Sequence, residues 1–437
     1  MAHTPREAAF LLLMQLQKNG GYSNLLLENS PLMGEFDARD RAFISALVYG
    51  VIERQLTLDY QLLLYLTKPL KKLQPQALCL LRLGAYQILF ADKVPESAAV
   101  NETVSLAKAN CLYAAGLINA VLRKITQNGL VLPQKINKAE YLSIRYSCPV
   151  PLVERWLSDY GEEDTIGILE SSLQPVGLTV RVNTTKTTTA ALKAVLEAQG
   201  VSCETTAVPD ALILSQLPCP VDRLQAFQDG LFHVQDKASM LCALALQAQP
   251  GQTVFDLCAA PGGKSFTIAE LMQNEGRVCA FDLYEKRVGL IRSGAERLGL
   301  TCVKAAVGDA AVYNETVGQA DRVLCDVPCS GLGVMRQKPE VKYKDLASLD
   351  TLPALQAQIL ANGARYLKDD GRLIYSTCAL DKRENEAVCA AFLKEHPDFT
   401  AVSPLPDVSD STFLTLMPHR FHCDGFFIAA FQKGRLS

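Results

Sequence analysis

The sequence predicts a multidomain protein: an all-α N-terminal domain over residues 1–140, a small α+β middle module over 141–230 and a C-terminal α/β domain over 231–437. Three observations predict it. Apolar residues recur at helical spacing through the first third of the chain. Prolines and two-residue alternation interrupt that pattern after 140, and strand-like and helix-like runs alternate from about 231 onward.

In the first segment, helical spacing covers Arg6–Lys18, Asp37–Val51, Asp59–Leu66, Gln76–Phe90, Asn101–Lys108 and Ala115–Gln127. Gly20-Gly21, Pro69, Pro95 and Gly129 fall between these runs, which implies a bundle of short helices. In the second segment Pro149, Pro151 and Pro175 break the early part. Pro151–Tyr160 reads as helix, Leu178–Asn183 as strand, Thr187–Gln199 as helix before Gly200, and Ala211–Leu214 as strand. The third segment predicts strands at Thr253–Cys258, Arg277–Leu283, Cys302–Val307, Arg322–Asp326 and Arg372–Ser376. Helices are predicted at Gly263–Gln273, Glu285–Leu298, Ala354–Leu367 and Glu384–Glu395. Such alternation gives a parallel sheet covered by helices on both faces.

Half of the 437 residues are apolar and a fifth are charged, enough to fill several cores. No stretch approaches the roughly 18 apolar residues of a membrane span. The run Ala8–Leu16 follows only Arg6, contains Gln15 and has no small-residue cleavage site after it, so a signal peptide is not expected. A soluble, cytoplasmic protein is expected, and nothing demands an oligomer, so a monomer is too. Fourteen cysteines lie scattered without a CxxC pair, and reduced, buried thiols are the default for them. The net charge of −3 argues mildly against a nucleic-acid binder but hides an asymmetry. Residues 1–140 carry 15 Lys and Arg against 11 Asp and Glu, and the rest 28 against 35. A local basic patch binds phosphates despite an acidic total.

The sharpest motif is Asp256-Leu-Cys-Ala-Ala-Pro-Gly-Gly-Lys264-Ser, which ends one strand and opens a helix. Ligands of open α/β sheets sit at the carboxyl ends of strands, and Gly262 and Gly263 let backbone approach them closely. A phosphate-binding P-loop fits only the end of the motif, since Cys258 stands where its first glycine belongs. Asp282 ends the next strand, 26 residues on, where an acidic residue commonly accepts ribose hydroxyls. Gly308-Asp309-Ala310 repeats the arrangement after the third, so three carboxylates at successive strand ends outline a nucleoside pocket.

Two cysteines escape the buried default. Asp326-Val-Pro-Cys329-Ser-Gly-Leu-Gly333 closes the fourth strand and Tyr375-Ser-Thr-Cys378 the fifth. Carbon 5 of cytosine is a poor nucleophile until a thiolate adds to carbon 6. The chemistry then needs a group at N3 and a base that removes the carbon 5 proton. One Asp and two Cys in a single cleft match that requirement.

These motifs, in this order and spacing, resemble the RNA cytosine-C5 methyltransferases over about residues 231–437, ending in the His422–Lys433 strand region. Residues 1–140 resemble the helical RNA-binding domain of the antitermination factor NusB, through Arg6-Glu-Ala-Ala, Asp40-Arg41 and Val100-Asn-Glu. The combination is similar to the bacterial 16S rRNA members of the family. It implies a Rossmann-like catalytic domain that uses S-adenosylmethionine and releases S-adenosylhomocysteine. It also implies a hairpin-loop cytosine of 16S rRNA as target, the nucleotide known in that family as 967, free or in a partly assembled subunit. By the same resemblance Cys378 is the nucleophile, and Cys329 releases the enzyme from the methylated base. Cys258, Ala259, Ala260, Pro261, Gly262, Gly263 and Lys264 form the cofactor loop, and Asp282 and Asp309 contact ribose and adenine. Asp326 sits between cofactor and cytosine. Val327 departs from the Ala usual in the family but leaves Asp326, Pro328 and Cys329 intact.

Other features carry less. Arg287 reads as a surface helix residue that could reach Asp282. His419, His422 and Cys423 lack the spacing and fourth ligand of a zinc site, so no metal is expected. Trp156 reads as core, and Lys68, Lys71 and Lys72 as a basic turn, solvated or facing phosphates. A tRNA substrate, or a non-catalytic RNA-binding factor with a decayed catalytic domain, remain the alternatives. The intact Cys329, Cys378, Asp326 and glycine loop argue against decay.

Overall fold

In the computed structural model, which describes residues 3–134, 136–175 and 177–434, the first segment folds into helices. They are α1 (Pro5–Asn19), α2 (Ser23–Asn29), α3 (Ala38–Glu53), α4 (Gln55–Leu63), α5 (Pro75–Phe90), α6 (Glu96–Asn110), α7 (Ala115–Asn128), α8 (Lys138–Tyr146) and α9 (Val150–Ser171). Caps decide several starts. The Thr4 hydroxyl accepts the Glu7 N–H ahead of Pro5, and the Asp37 and Asn137 side chains accept N–H groups of α3 and α8. Ala8, Leu12, Ile44, Leu47, Leu58, Leu80, Ile118 and Leu122 meet in one buried core. Trp156 on α9 is fully buried, as expected of a core residue. α2, seven residues long, is too short to display the periodicity, and α8 was not read from it.

This compact unit reaches Gln174, past the boundary expected at 140. The reason is that α8 locks onto α4. The Thr57 hydroxyl donates to Ile144 O at 2.5 Å, and Leu56 N–H to the Ser147 hydroxyl at 2.9 Å. The unit also takes in Met335–Lys344 from far along the chain. Glu340 accepts both the N–H and the hydroxyl of Ser23, at 2.9 and 2.8 Å. The Tyr343 hydroxyl donates to Ile52 O at 3.0 Å. Lys342, 2% exposed, donates to Glu53 O at 2.7 Å, and burial pushes its ammonium down to about 8.

The second compact unit holds two sheets. The smaller is built from β1 (Leu178–Val182), α10 (Thr189–Ala198), β2 (Ser202–Thr205), β3 (Ala211–Ser215), α11 (Gln225–Gln228) and β4 (Phe232–Val234). Its strands run antiparallel in the order β2-β3-β1-β4. The larger follows α12 (Lys237–Ala245). It contains β5 (Thr253–Asp256), α13 (Gly263–Leu271), β6 (Arg277–Asp282), α14 (Glu285–Leu298), β7 (Val303–Val307) and β8 (Ala320–Asp326). It continues with α15 (Leu352–Tyr366), β9 (Leu367–Thr377), α16 (Glu386–Glu395), β10 (Phe399–Val402), β11 (Phe413–Leu416), α17 (Pro418–Phe421) and β12 (Phe426–Lys433). The order is β10-β12-β9-β8-β5-β6-β7, with β11 also on β12. The pairs from β7 to β9 are parallel, as predicted, and β12 joins β9 antiparallel with β10 and β11 paired antiparallel to it in turn. No helix among the described residues is long and apolar enough to cross a membrane.

The small sheet is bolted to the large one. Arg181 of β1, 1% exposed, donates to Glu270 Oε2 of α13 at 3.0 Å, and Asn183 donates to Leu298 O at 2.8 Å. Glu270 is buried as well, so removing one partner strands a charge away from water. Arg181→Ala should therefore lower stability by about 3–5 kcal/mol. The joint change Arg181→Met with Glu270→Met should cost less, and thermal or denaturant unfolding of both variants checks the ranking.

Candidate active site

The larger sheet changes direction at β5. The chain steps from β5 to β6 and β7 on one side, then returns to β8 on the other. Ligands bind outside the carboxyl ends of strands at such a switch point. Asp256 and Asp326 end the two strands that flank it.

β8 and β9 pair in parallel with Asp326 opposite Ser376. The Ser376 hydroxyl donates to Asp326 Oδ1 at 2.8 Å, and the Lys264 ammonium donates to Oδ2 at 2.8 Å. Lys264 also donates to the Ser239 hydroxyl at 3.2 Å and lies 5.1 Å from the Phe426 ring centroid. Burial works against the ammonium, but Asp326 outweighs it and the Lys264 pKa rises. The lysine of the P-loop-like ending is thus spent on Asp326, and the Ser265 hydroxyl on Asp256 at 2.6 Å.

Cys329 and Cys378 face each other with their sulfurs 3.2 Å apart. The contact with Cys378 pushes the Cys329 thiol well up, and burial and the Glu384 carboxylate add to it. The Gly333 N–H donates to Cys378 O at 2.8 Å, and the Gly425 N–H to Gly333 O at 2.9 Å. A Cβ on Gly333 would stand 1.8 Å from Gly425 O, so no other residue fits there. Ten of the fourteen free cysteines are buried, and three of the four part-exposed ones, Cys258, Cys329 and Cys378, are those the motifs singled out.

The glycine loop occupies the end of β5. Gly262 sits at φ +116, where a side chain would be strained and would strike Phe266. Cys258 and Ala260 are half-buried, Ala259 is buried, Pro261 is exposed and α13 begins at Gly263. Burial pushes the Cys258 thiol well up and raises the fully buried Asp256 carboxyl to about 7. Asp256 Oδ1 has no hydrogen-bond partner among the described residues.

Of the three carboxylates, Asp309 lines a cavity of about 350 Å³ next to β6 and β7, with Leu257, Phe281, Ala310, Tyr313 and Tyr366. It is exposed and accepts the Ala311 N–H at 2.9 Å. Asp256 and Asp282 are buried on partners of their own. Asp282 accepts the Tyr284 N–H at 3.3 Å and pairs with Arg287 at 3.2 Å. Arg287 also donates to Ala260 O at 3.0 Å, so it ties β6 to the glycine loop rather than serving as a plain surface residue. Sequence reasoning gave no role to Ser239, Ser376, Phe426 and Glu384, although Ser376, inside Ser-Thr-Cys, and Phe426, inside His422–Lys433, sat in segments already marked. Lys68, Lys71 and Lys72 stand exposed around the turn before α5. Among the described residues no group of three or more His, Cys, Asp and Glu side chains could hold a metal ion.

A switched parallel sheet with this loop and thiol pair is the framework of a methyltransferase, and comparison with known proteins agrees. The chain belongs to the 16S rRNA methyltransferase RsmB/F family, which it matches over residues 243–432. Residues 3–127 match the NusB family, and residues 148–222 the ferredoxin-like domain of RsmF/B-like methyltransferases. The "Probable ribosomal RNA small subunit methyltransferase B" of Bacillus subtilis (strain 168) is 39% identical, covering 98% of each chain. The ribosomal RNA small subunit methyltransferase B of Sodalis glossinidius is 33% identical over 92% of each. The crystal structure of PH0851 is similar at a TM-score of 0.82 and 28% identity, covering 99% of this chain and 100% of that one.

The buried Asp256 gives a pH signature. Its folded pKa of about 7 stands above the ordinary 3.8. The stability it contributes is thus complete below about pH 4 and lost as pH rises through about 7. Asp256→Asn does not titrate. Its melting temperature relative to the parent should climb across that window and level off above it, and a pH-independent gap would contradict the assignment.

Proposed function

We propose that this protein transfers a methyl group from S-adenosylmethionine to carbon 5 of a cytosine in 16S rRNA, through a covalent bond between Cys378 and carbon 6. The observation that carries the reading is the pair of thiols 3.2 Å apart, at neighbouring strand ends beside Asp326.

The residues present fit the cofactor. Asp256 Oδ1 is a buried acceptor without a partner, Gly262 and Gly263 leave room for close approach, and a helix N-terminus favours a carboxylate. The cavity beside Asp309 is walled by Leu257, Phe281 and Tyr366, a surface suited to a flat purine. The loop Cys258–Lys264, Asp282 and Asp309 would hold the ligand, with Arg287 fixing Asp282 and Lys264 fixing Asp326 beside them. When bound, S-adenosylmethionine supplies an electrophilic methyl group on a sulfonium.

The chain's own groups do the rest. Cys378 as thiolate adds to carbon 6, which makes carbon 5 nucleophilic. Asp326, steadied by Lys264 and Ser376, faces N3 of the base as its electrons shift. After methyl transfer a solvent water takes the carbon 5 proton, and the electrons of that C–H bond restore the carbon 5–carbon 6 double bond and expel Cys378 from carbon 6 as the thiolate. Cys329, a thiol beside Cys378, assists that release. The names of the relatives support an rRNA substrate, and the NusB-like helices, with their basic excess, support RNA binding by that domain.

Cys378→Ala should abolish methyl transfer while leaving the thermal melt and S-adenosylmethionine binding at parental values. Cys329→Ala should accumulate a covalent protein–RNA adduct, seen as a denaturation-resistant gel shift. Normal turnover by the first variant, or no adduct in the second with both ligands bound, would overturn the assignment of the two cysteines.

A further inference from the structure

Just before α16, two adjacent residues reach both cysteine loops. Glu384 is 1% exposed, and its Oε2 accepts the Ser330 N–H at 3.0 Å and the Gln356 side-chain amide at 2.8 Å. The same Gln356 nitrogen donates to Pro328 O at 3.0 Å. Glu384 and Gln356 thereby grip the backbone on either side of Cys329. Asn385 is fully buried, accepts the Thr377 hydroxyl at 2.6 Å and donates to Ala379 O at 2.9 Å. It grips the chain on either side of Cys378.

Neither residue does what its place would lead one to expect. Asn at a helix N-cap ordinarily accepts an N–H of the first turn. Asn385 occupies that place for α16 but makes no side-chain cap hydrogen bond, and spends its amide on the cysteine loop. A buried carboxylate is ordinarily paired with a cation. Glu384 makes no ion pair among the described residues, and neutral donors hold it. Burial at that cost with no gain to the helix fits a role outside it.

We propose that Glu384 and Asn385 are positioning residues that set the two thiols against each other, Glu384 with Gln356 fixing Cys329 and Asn385 fixing Cys378. The proposal rests on the reading of Cys378 as nucleophile and Cys329 as releasing thiol. Glu384 charge also acts on the Cys329 thiol, pushing it up, in keeping with that arrangement. Because the two grips are separate, loosening them has opposite effects on the covalent intermediate. A loose Cys329 slows release, and a loose Cys378 slows attack.

The test follows the denaturation-resistant adduct, with the full chain, S-adenosylmethionine and a 16S rRNA transcript, using Cys329→Ala as reference. Glu384→Ala and Gln356→Ala should accumulate adduct and lose about 10-fold or more in kcat, with KM for S-adenosylmethionine changed by less than about 3-fold. Asn385→Ala should lose turnover without accumulating adduct. Glu384→Gln, which keeps an acceptor in place, should restore turnover to within about 3-fold of the parent. If Glu384→Ala does not fold, Gln356→Ala decides. Adduct in Cys329→Ala but in neither Glu384→Ala nor Gln356→Ala overturns the positioning role. Its absence from Cys329→Ala overturns the underlying reading instead.

Discussion

The site hangs on the pairing of β8 with β9. Parallel register sets Asp326 opposite Ser376, and the two loops that leave these strands carry Cys329 and Cys378. A slip of one residue would turn Ser376 to the other face of the sheet, and Asp326 would lose a hydrogen bond. It would also shift Cys378 along its loop, out of line with Cys329. Register is firmly specified here because β9 is buried from Gly371 to Thr377, with large apolar side chains packed on both faces.

From that pairing the electrostatics follow. Asp326 is neutralised by Lys264, which comes from the start of α13, so the glycine loop and the cysteine loops share one ion pair. Behind it Asp256 sits buried against the Ser265 hydroxyl, and burial raises its carboxyl to about 7. The contact with Cys378 pushes the Cys329 thiol up. The buried Asp256 costs folding free energy, whereas the Lys264–Asp326 pair offsets its own burial, and both lie where the proposed chemistry needs a prepared group. Stability is commonly lower at sites shaped this way.

Much of the fold was legible because its signals are local. Glu285–Leu298 was read to the residue, and the strands of the parallel sheet to within a few residues, since apolar runs and turn residues mark them. Cys329 and Cys378 were legible because Pro and Gly in Asp-Val-Pro-Cys and the end of a strand in Ser-Thr-Cys betray cleft loops. What escaped is defined by distant partners. Glu340, Lys342 and Tyr343 explain themselves only against Ser23, Glu53 and Ile52. Glu384 read as the first residue of a helix, and its real partners lie on other elements. Arg287 looked like a solvated helix residue until Ala260 O appeared beside it. Short strands such as Phe399–Val402 and Phe413–Leu416 lack enough alternation to be read alone.

The most direct measurement is methyl transfer from labelled S-adenosylmethionine to unmodified 16S rRNA, with total tRNA in parallel and the product mapped by bisulfite sequencing. The account predicts label in 16S rRNA and a single protected cytosine there. Label confined to tRNA, or in neither RNA, would contradict it.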